Sequence, residues 1–167
     1  LLDYSNNETY SLTIQASDGS NTASTSVTIN VIDVNNNPVA VNDSISLNEN
    51  ETTEQTSAAN GVLSNDSDSD GDSITLENFR TGLETGSGIY GILGSSREGS
   101  YGSLTLNGDG TYSYVADLAA ADALGEGVTA TDPFTYSVSD GKGGDTGEII
   151  FTITGVNDAP YIVDAIA

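Results

Sequence analysis

The sequence contains no cysteine, histidine, methionine or tryptophan, and only three Lys+Arg among 167 residues. Each absence removes a class of function. Without Cys or His there is no thiol nucleophile, no Ser-His-Asp triad, no imidazole general base and no zinc centre of the Cys/His kind. No disulfide can form, so thiols say nothing about redox compartment. Against 25 Asp+Glu the three cations leave a formal net charge of -22. Such a chain is repelled by nucleic acid and by anionic membrane alike, and neither is expected as a partner. No apolar run approaches the roughly 18 residues of a spanning helix, so membrane insertion is not expected. The sequence opens Leu1-Leu2-Asp3 with no initiator Met and no signal-peptide pattern, and is expected to be a piece of something longer.

What is present is a patterned, apolar-enough chain: 36% hydrophobic with 17% charged, unlike a disordered acidic tail. An internal repeat organises it. Residues 12–38 align without a gap on residues 134–160 at a constant offset of 122. Seven of 27 positions are identical, among them Ser17/Ser139, Asp18/Asp140, Gly19/Gly141, Val34/Val156, Asn35/Asn157 and Pro38/Pro160. Register held over two strands and their turn marks a true repeat. It predicts the end of one unit (1–37), one whole unit (38–158) and the start of a third (159–167).

Apolar residues alternate throughout, as in Tyr10/Leu12/Ile14/Ala16, Val27/Ile29/Val31, Leu104/Leu106, Phe134/Tyr136/Val138 and Ile149/Phe151/Ile153. Period two with a polar second face predicts antiparallel sheets with one wet side. Asn107-Gly108-Asp109-Gly110 reads as a hairpin turn, as do Asp18-Gly19 and Asp140-Gly141. Residues 116–124 suggest a short helix or a crossover, and residues 89–93 an extra strand. Seven to nine strands in about 120 residues fit an all-β, antiparallel Ig/cadherin-like β-sandwich.

The carboxylates bunch at loops and unit boundaries. Asp66, Asp68, Asp70 and Asp72 alternate with small residues, a spacing that lets several oxygens converge. That chemistry suits a hard cation such as Ca2+, which takes six to eight oxygens at about 2.3–2.6 Å. The string also satisfies the EF-hand pattern with Glu77 in twelfth place, but Ser73–Phe79 reads as a strand and the flanking helices are missing. At the boundaries, Asp33-Val34-Asn35-Asn36-Asn37-Pro38 and Gly155-Val156-Asn157-Asp158-Ala159-Pro160 offer Asx side chains in an extended linker.

These elements carry a resemblance. Leu2-Asp3-Tyr4, Ala16-Ser17-Asp18-Gly19 and Asp33–Asn37 resemble the LDYE element, A-x-D-G turn and D-x-N-D-N linker of a bacterial cadherin-like domain. Residues 38–160 resemble a VCBS repeat: Gly61-Val62-Leu63-Ser64-Asn65-Asp66, then Tyr101–Tyr112, Thr131–Gly141 and Asn157-Asp158-Ala159-Pro160. Such repeats occur in tandem in large secreted, RTX-type bacterial surface adhesins. The resemblance implies calcium at each joint between units. It implies a first joint built from Asp3, Asp33, Asn35, Asn37, Asp68, Asp70 and Asp140, and a second from Glu49, Asn157 and Asp158. Asp18 would serve an earlier joint. Ser5, Asn36 and Gly155 each stand where the family carries an acid, so the second joint is expected to hold calcium weakly or not at all.

The expected function is therefore a non-enzymatic, calcium-stabilised extender repeat of an extracellular bacterial adhesin, supporting cell adhesion or biofilm formation. Its expected partners are neighbouring repeats of the same polypeptide. Two alternatives stand beside it. A carbohydrate-binding module needs exposed aromatic platforms, and only Tyr90, Tyr101 and Tyr161 lie outside the inward strand pattern. A fibre-forming subunit would cover the first hairpin by strand addition from another chain. Paired carboxylates alone, with no cleft to hold them, do not mark a hydrolase.

Overall fold

A computed structural model describes residues 9–32 and 34–158. The chain forms two compact units, Leu1–Asn35 and Asn36–Ala167, divided inside the Asn-rich linker. Asp3, Asp33 and Tyr161 lie outside the described residues.

The first unit is a hairpin. β1 (Thr9–Ser17) and β2 (Thr22–Asn30) pair antiparallel, from Thr9 opposite Asn30 to Ser17 opposite Thr22. Asp18 builds the turn: its Oδ1 accepts the N–H groups of Ser20 and Asn21 at 2.8 and 2.7 Å. These bonds, made to the ionised form, hold the Asp18 carboxyl below its ordinary range. Gly19 takes φ 90°, and its repeat equivalent Gly141 takes φ 86° in the same place. Leu12 and Ile14 are 54% and 50% exposed.

The second unit is a two-sheet sandwich. β3 (Asp43–Asn48), β4 (Thr52–Gln55), β5 (Thr75–Thr81), β6 (Tyr90–Gly91), β7 (Ser96–Glu98), β8 (Ser103–Leu106), β9 (Tyr112–Val115), β10 (Thr129–Ser139) and β11 (Gly144–Thr154) follow in order. A single helical turn, α1 (Ala119–Asp122), precedes β10. One sheet runs β3-β11-β10-β5-β6 and the other β4-β9-β8-β7. The fold class is all-β, as the alternation predicts. One pairing differs from the expected antiparallel pattern: β3 lies parallel to β11, from Asp43 opposite Ile149 to Asn48 opposite Thr154.

The alternating residues make the core. Phe134, Tyr136, Val138, Ile149, Phe151 and Ile153 face inward from β10 and β11, and meet Leu104, Leu106 and Tyr114 from the other sheet. The Tyr114 ring stacks on Phe151 across the sheets, with centroids 3.8 Å apart and planes 6° from parallel. Phe134 meets Tyr114 and Phe151 edge-on at 6.3 and 6.2 Å. Opposite β5 the register shifts between Ser137 and Val138. That irregularity puts both Leu76 and Phe79, three residues apart, on the core side.

Candidate functional site

The acids of the second unit sort into distinct settings. At its entry end, the linker is gripped by side chains from two loops. The Asp70 carboxylate accepts the Asn36 N–H at 2.6 Å, and the Asn36 side-chain amide as well. Asn37 donates from Nδ2 to the Gly144 carbonyl at 3.3 Å. Val39 pairs with Ser67 through two backbone hydrogen bonds. Asp68 folds its own turn, with Oδ1 accepting the N–H groups of Asp70 and Asp72, while its Oδ2 is buried without a hydrogen bond. Asp72 pairs with Lys142 at 2.7 Å, which ties the 68–72 turn to the β10–β11 turn. In that turn Asp140 Oδ1 accepts from Lys142 N and Gly143 N at 2.7 and 2.6 Å, repeating what Asp18 does.

The alternating acids therefore do not point at one spot: Asp70 holds the linker, Asp68 its own turn and Asp72 Lys142. Asp66 departs most from the expected convergence. Its Oδ1 turns inward to accept from the Val41 N–H at 2.8 Å and the Tyr136 hydroxyl at 3.2 Å. Beside it stands Asp43, which the sequence reading did not single out because a lone acid at the start of a strand carries no signal. Asp43 Oδ1 accepts from Asn65 Nδ2 at 3.2 Å. Asp43 Oδ2 and Asp66 Oδ2 are both buried without a hydrogen bond. Burial, then the neighbouring Asp66 charge, pushes the Asp43 carboxyl up to about 6. Burial also raises Asp66, against the hydrogen bonds that lower it. The Tyr136 hydroxyl is raised by burial and by both acids.

At the exit end the chief residue is Glu49. It is 2% exposed. Its N–H donates to the Thr154 carbonyl at 3.0 Å, and its Oε1 accepts the Val156 N–H at 2.6 Å. Its Oε2 is buried with no hydrogen bond. A carboxylate oxygen in that state costs free energy unless something positive meets it. Asn157, the next residue along the exit segment, donates to Glu126 Oε2 at 3.5 Å. Asp158 is exposed on the same segment. Asn35 is half-buried at the end of the first unit.

Asp132 is a buried acid of another kind. It is 1% exposed, and accepts from Ser100 N, Tyr101 N, Gly102 N and the Tyr114 hydroxyl at 2.8, 3.0, 3.1 and 2.8 Å. Held by four donors, it pins the loop before β8 to β10. Among the described residues, no group of three or more acidic side chains is arranged to hold a metal ion. Four carboxylate oxygens are nonetheless buried without a hydrogen bond: Glu49 Oε2 at the exit end, and Asp43 Oδ2, Asp66 Oδ2 and Asp68 Oδ2.

Tyr101 is half-buried and packs against the core, as a loop anchor does. Tyr90 does not: it is 63% exposed on β6, beside the exposed Ile89 and Ile92. No helix among the described residues is long and apolar enough to cross a membrane.

A family model for the bacterial cadherin-like domain matches residues 35–155. No curated protein sequence matches the chain. Among solved structures, the endo-fucoidan hydrolase MfFcnA4 of glycoside hydrolase family 107 is similar at 20% identity and a TM-score of 0.37, over 89% of this chain and 19% of that one. The family 107 hydrolase MfFcnA9 is similar at 19% identity and 0.33, over 86% and 21%. Mouse protocadherin-24 EC1-3 is similar at 16% identity and 0.39, over 92% and 46%. The chain thus spans about a fifth of the length of those hydrolases.

Proposed function

The chain belongs to the bacterial cadherin-like domain family, and on that footing we propose that it is a calcium-stabilised extender repeat of a bacterial surface adhesin. Its sequence motifs resemble those of VCBS repeats, which supports an extracellular setting. Its work is mechanical: it spaces other domains and catalyses nothing.

The observation that carries this reading is Glu49. A nearly inaccessible carboxyl group spends one oxygen on the backbone of the exit segment and leaves the other with no hydrogen bond. Calcium would supply the missing positive charge there and draw Glu49, Asn157 and Asp158 to one centre. At the entry end of the second unit, Asp68, Asp70, Asp140 and Asn37 lie in the linker and the two turns next to it. Asp70 already fixes the linker backbone through Asn36. The formal charge of -22 adds a general argument, since an array of such units repels itself until counter-ions bind. Affinity in the range of extracellular modules, about 10⁻⁴ to 10⁻³ M, is expected.

The test is thermal unfolding with calcium and with chelator, alongside calorimetric titration of the ion. A rise in melting temperature with measurable heat is expected. An unchanged melting temperature together with no heat sinks the reading.

Carbohydrate binding is the second reading, and Tyr90 is the observation in its favour, as an exposed ring on an edge strand. Retention of the chain by a polysaccharide gel, lost in Tyr90→Ala, would promote it.

A further inference from the structure

The β5–β6 hairpin and the residue after it leave Leu83, Ile89, Tyr90 and Ile92 exposed. A cluster of this kind on a soluble domain marks a contact surface. Tyr90 faces outward for a local reason. Its neighbour Gly91 faces the core, where a Cβ would run into the Phe79 ring. Successive residues of a strand point to opposite faces, so Tyr90 is turned to water. On β5 the same alternation buries Phe79 and turns Arg80 outward. Tyr90 and Arg80 are direct partners in the antiparallel register. Such partners share a face, with Cβ atoms about 4.5–5.5 Å apart. An exposed ring and a guanidinium therefore stand side by side on the outer face of the five-stranded sheet.

Arg80 is one of three cations in the whole chain. Lys142 is spent on Asp72. Arg80 is spent on no acid: its Nη1 donates to the Thr81 carbonyl at 3.2 Å and its Nη2 to the Glu84 carbonyl at 2.9 Å. The two carbonyls hold the guanidinium fork in place without neutralising it. Acids of the same region are engaged elsewhere. Glu148 accepts the Glu84 N–H at 2.6 Å, and Glu84 meets the Thr146 hydroxyl. With 25 Asp+Glu available, a half-exposed arginine fixed in position yet left without a carboxylate points to an anion from outside. The ring beside it selects the kind of anion. A pyranose presents an apolar C–H face to an aromatic side chain and carries its acid group at the rim, where a planar guanidinium pairs with it. At about 0.15 M salt the screening length is about 8 Å, so acids further off than that act weakly on a ligand held at Arg80.

We propose that the outer face of β5–β6 binds an acidic polysaccharide, with one sugar ring stacked on Tyr90 and its carboxylate or sulfate held by the Arg80 guanidinium. The proposal rests on the carbohydrate reading above, and adds the charge of the ligand and the residue that reads it.

The experiment is affinity electrophoresis of the full chain in EDTA, through gels containing polygalacturonate, dextran sulfate or neutral dextran. The proteins are the unsubstituted chain, Tyr90→Ala, Arg80→Gln, Arg80→Lys and the control Arg97→Gln, which removes the same charge from β7 in the other sheet. Expected is retardation by at least one acidic polymer and none by dextran. Tyr90→Ala and Arg80→Gln should each weaken it at least about tenfold, Arg97→Gln by less than about twofold, and Arg80→Lys should recover part of the loss. The polymer that retards the chain distinguishes a carboxylate from a sulfate. If dextran retards the chain equally and Arg80→Gln has no effect, the acidic ligand is overturned and the carbohydrate reading stands. If Arg97→Gln weakens binding as much as Arg80→Gln, the attraction is unspecific and the assignment is overturned. Equal loss in Arg80→Gln and Arg80→Lys, with a lowered melting temperature in both, makes Arg80 a brace of the hairpin and overturns it too. If no polymer retards the unsubstituted chain, both readings fall together.

Discussion

Replacing Glu49 with Gln should change sign with calcium. In chelator, the substitution removes a carboxylate that is 2% exposed and has one oxygen without a partner. Gln keeps an acceptor for the Val156 N–H and the same shape. The penalty for burying an unpaired ionic oxygen exceeds that for an amide, so the apo protein should gain about 1–2 kcal/mol. For a sandwich of this size each kcal/mol moves the midpoint by about 3–5 °C, so Glu49→Gln should melt several degrees above the unsubstituted chain. Calcium reverses the order. With a dissociation constant of about 10⁻⁴ to 10⁻³ M, 10 mM ion contributes about 1.4–2.7 kcal/mol per site to the unsubstituted chain. The variant forfeits that gain at the exit site. Differential scanning calorimetry in EDTA and in 10 mM calcium reads both arms. A variant that melts lower in EDTA and gains as much from calcium as the unsubstituted chain would refute the reasoning, because Glu49 would then be an ordinary core hydrogen-bonding residue.

Asp132 gives a contrast that owes nothing to metal. Tyr114→Phe deletes one donor to a charged acceptor and should cost about 1.5–3 kcal/mol, whereas Asp132→Asn turns an amide toward converging N–H groups and should cost about 3–5 kcal/mol; chemical denaturation with and without calcium should give equal losses. In the folded state burial and the Asp66 charge push the Asp43 carboxyl up to about 6, above the ordinary carboxylate range. The folded state therefore binds more protons than the unfolded state between roughly pH 4 and 6, and the group's contribution falls as pH rises through that window. In chelator, Asp43→Asn should match the unsubstituted chain near pH 4 and exceed it in stability at pH 7; the opposite order in a melting series would refute the assignment. Gly155→Ala should lose about 1–3 kcal/mol by collision with the Gly125 and Leu124 carbonyls, measurable as a lower urea midpoint.

Period two made the core legible. Phe134, Tyr136, Val138, Ile149, Phe151 and Ile153 are where alternation puts them. Phe79 was hidden, because a register shift against β10 breaks the period at that strand. β4 was hidden too: Thr52–Gln55 is polar, since an edge strand with four residues needs little apolar content to be held by β9. The acidic run showed its composition but not its directions. Spacing says that Asp66, Asp68, Asp70 and Asp72 are near one another. Only the fold sends Asp66 to Tyr136, Asp70 to Asn36 and Asp72 to Lys142. Asp132 sat inside a quoted motif, yet nothing in its neighbours signalled that four donors from residues 100–114 would converge on it. Glu49 was legible only through family resemblance; its unpartnered oxygen is a property of packing.

The parallel pairing of β3 with β11 bears on how the unit would behave under load. The chain enters the sandwich at the Asp43 end of β3 and leaves it at the Thr154 end of β11, and the two strands lie side by side in register over six residue pairs. Tension applied to the two ends of this unit would pull these strands in opposite directions along their own axes. Their hydrogen bonds are then strained together, in shear, where a hairpin pulled from its open end would peel apart one bond at a time. A filament strung from such links would yield abruptly, link by link, after resisting almost without stretch.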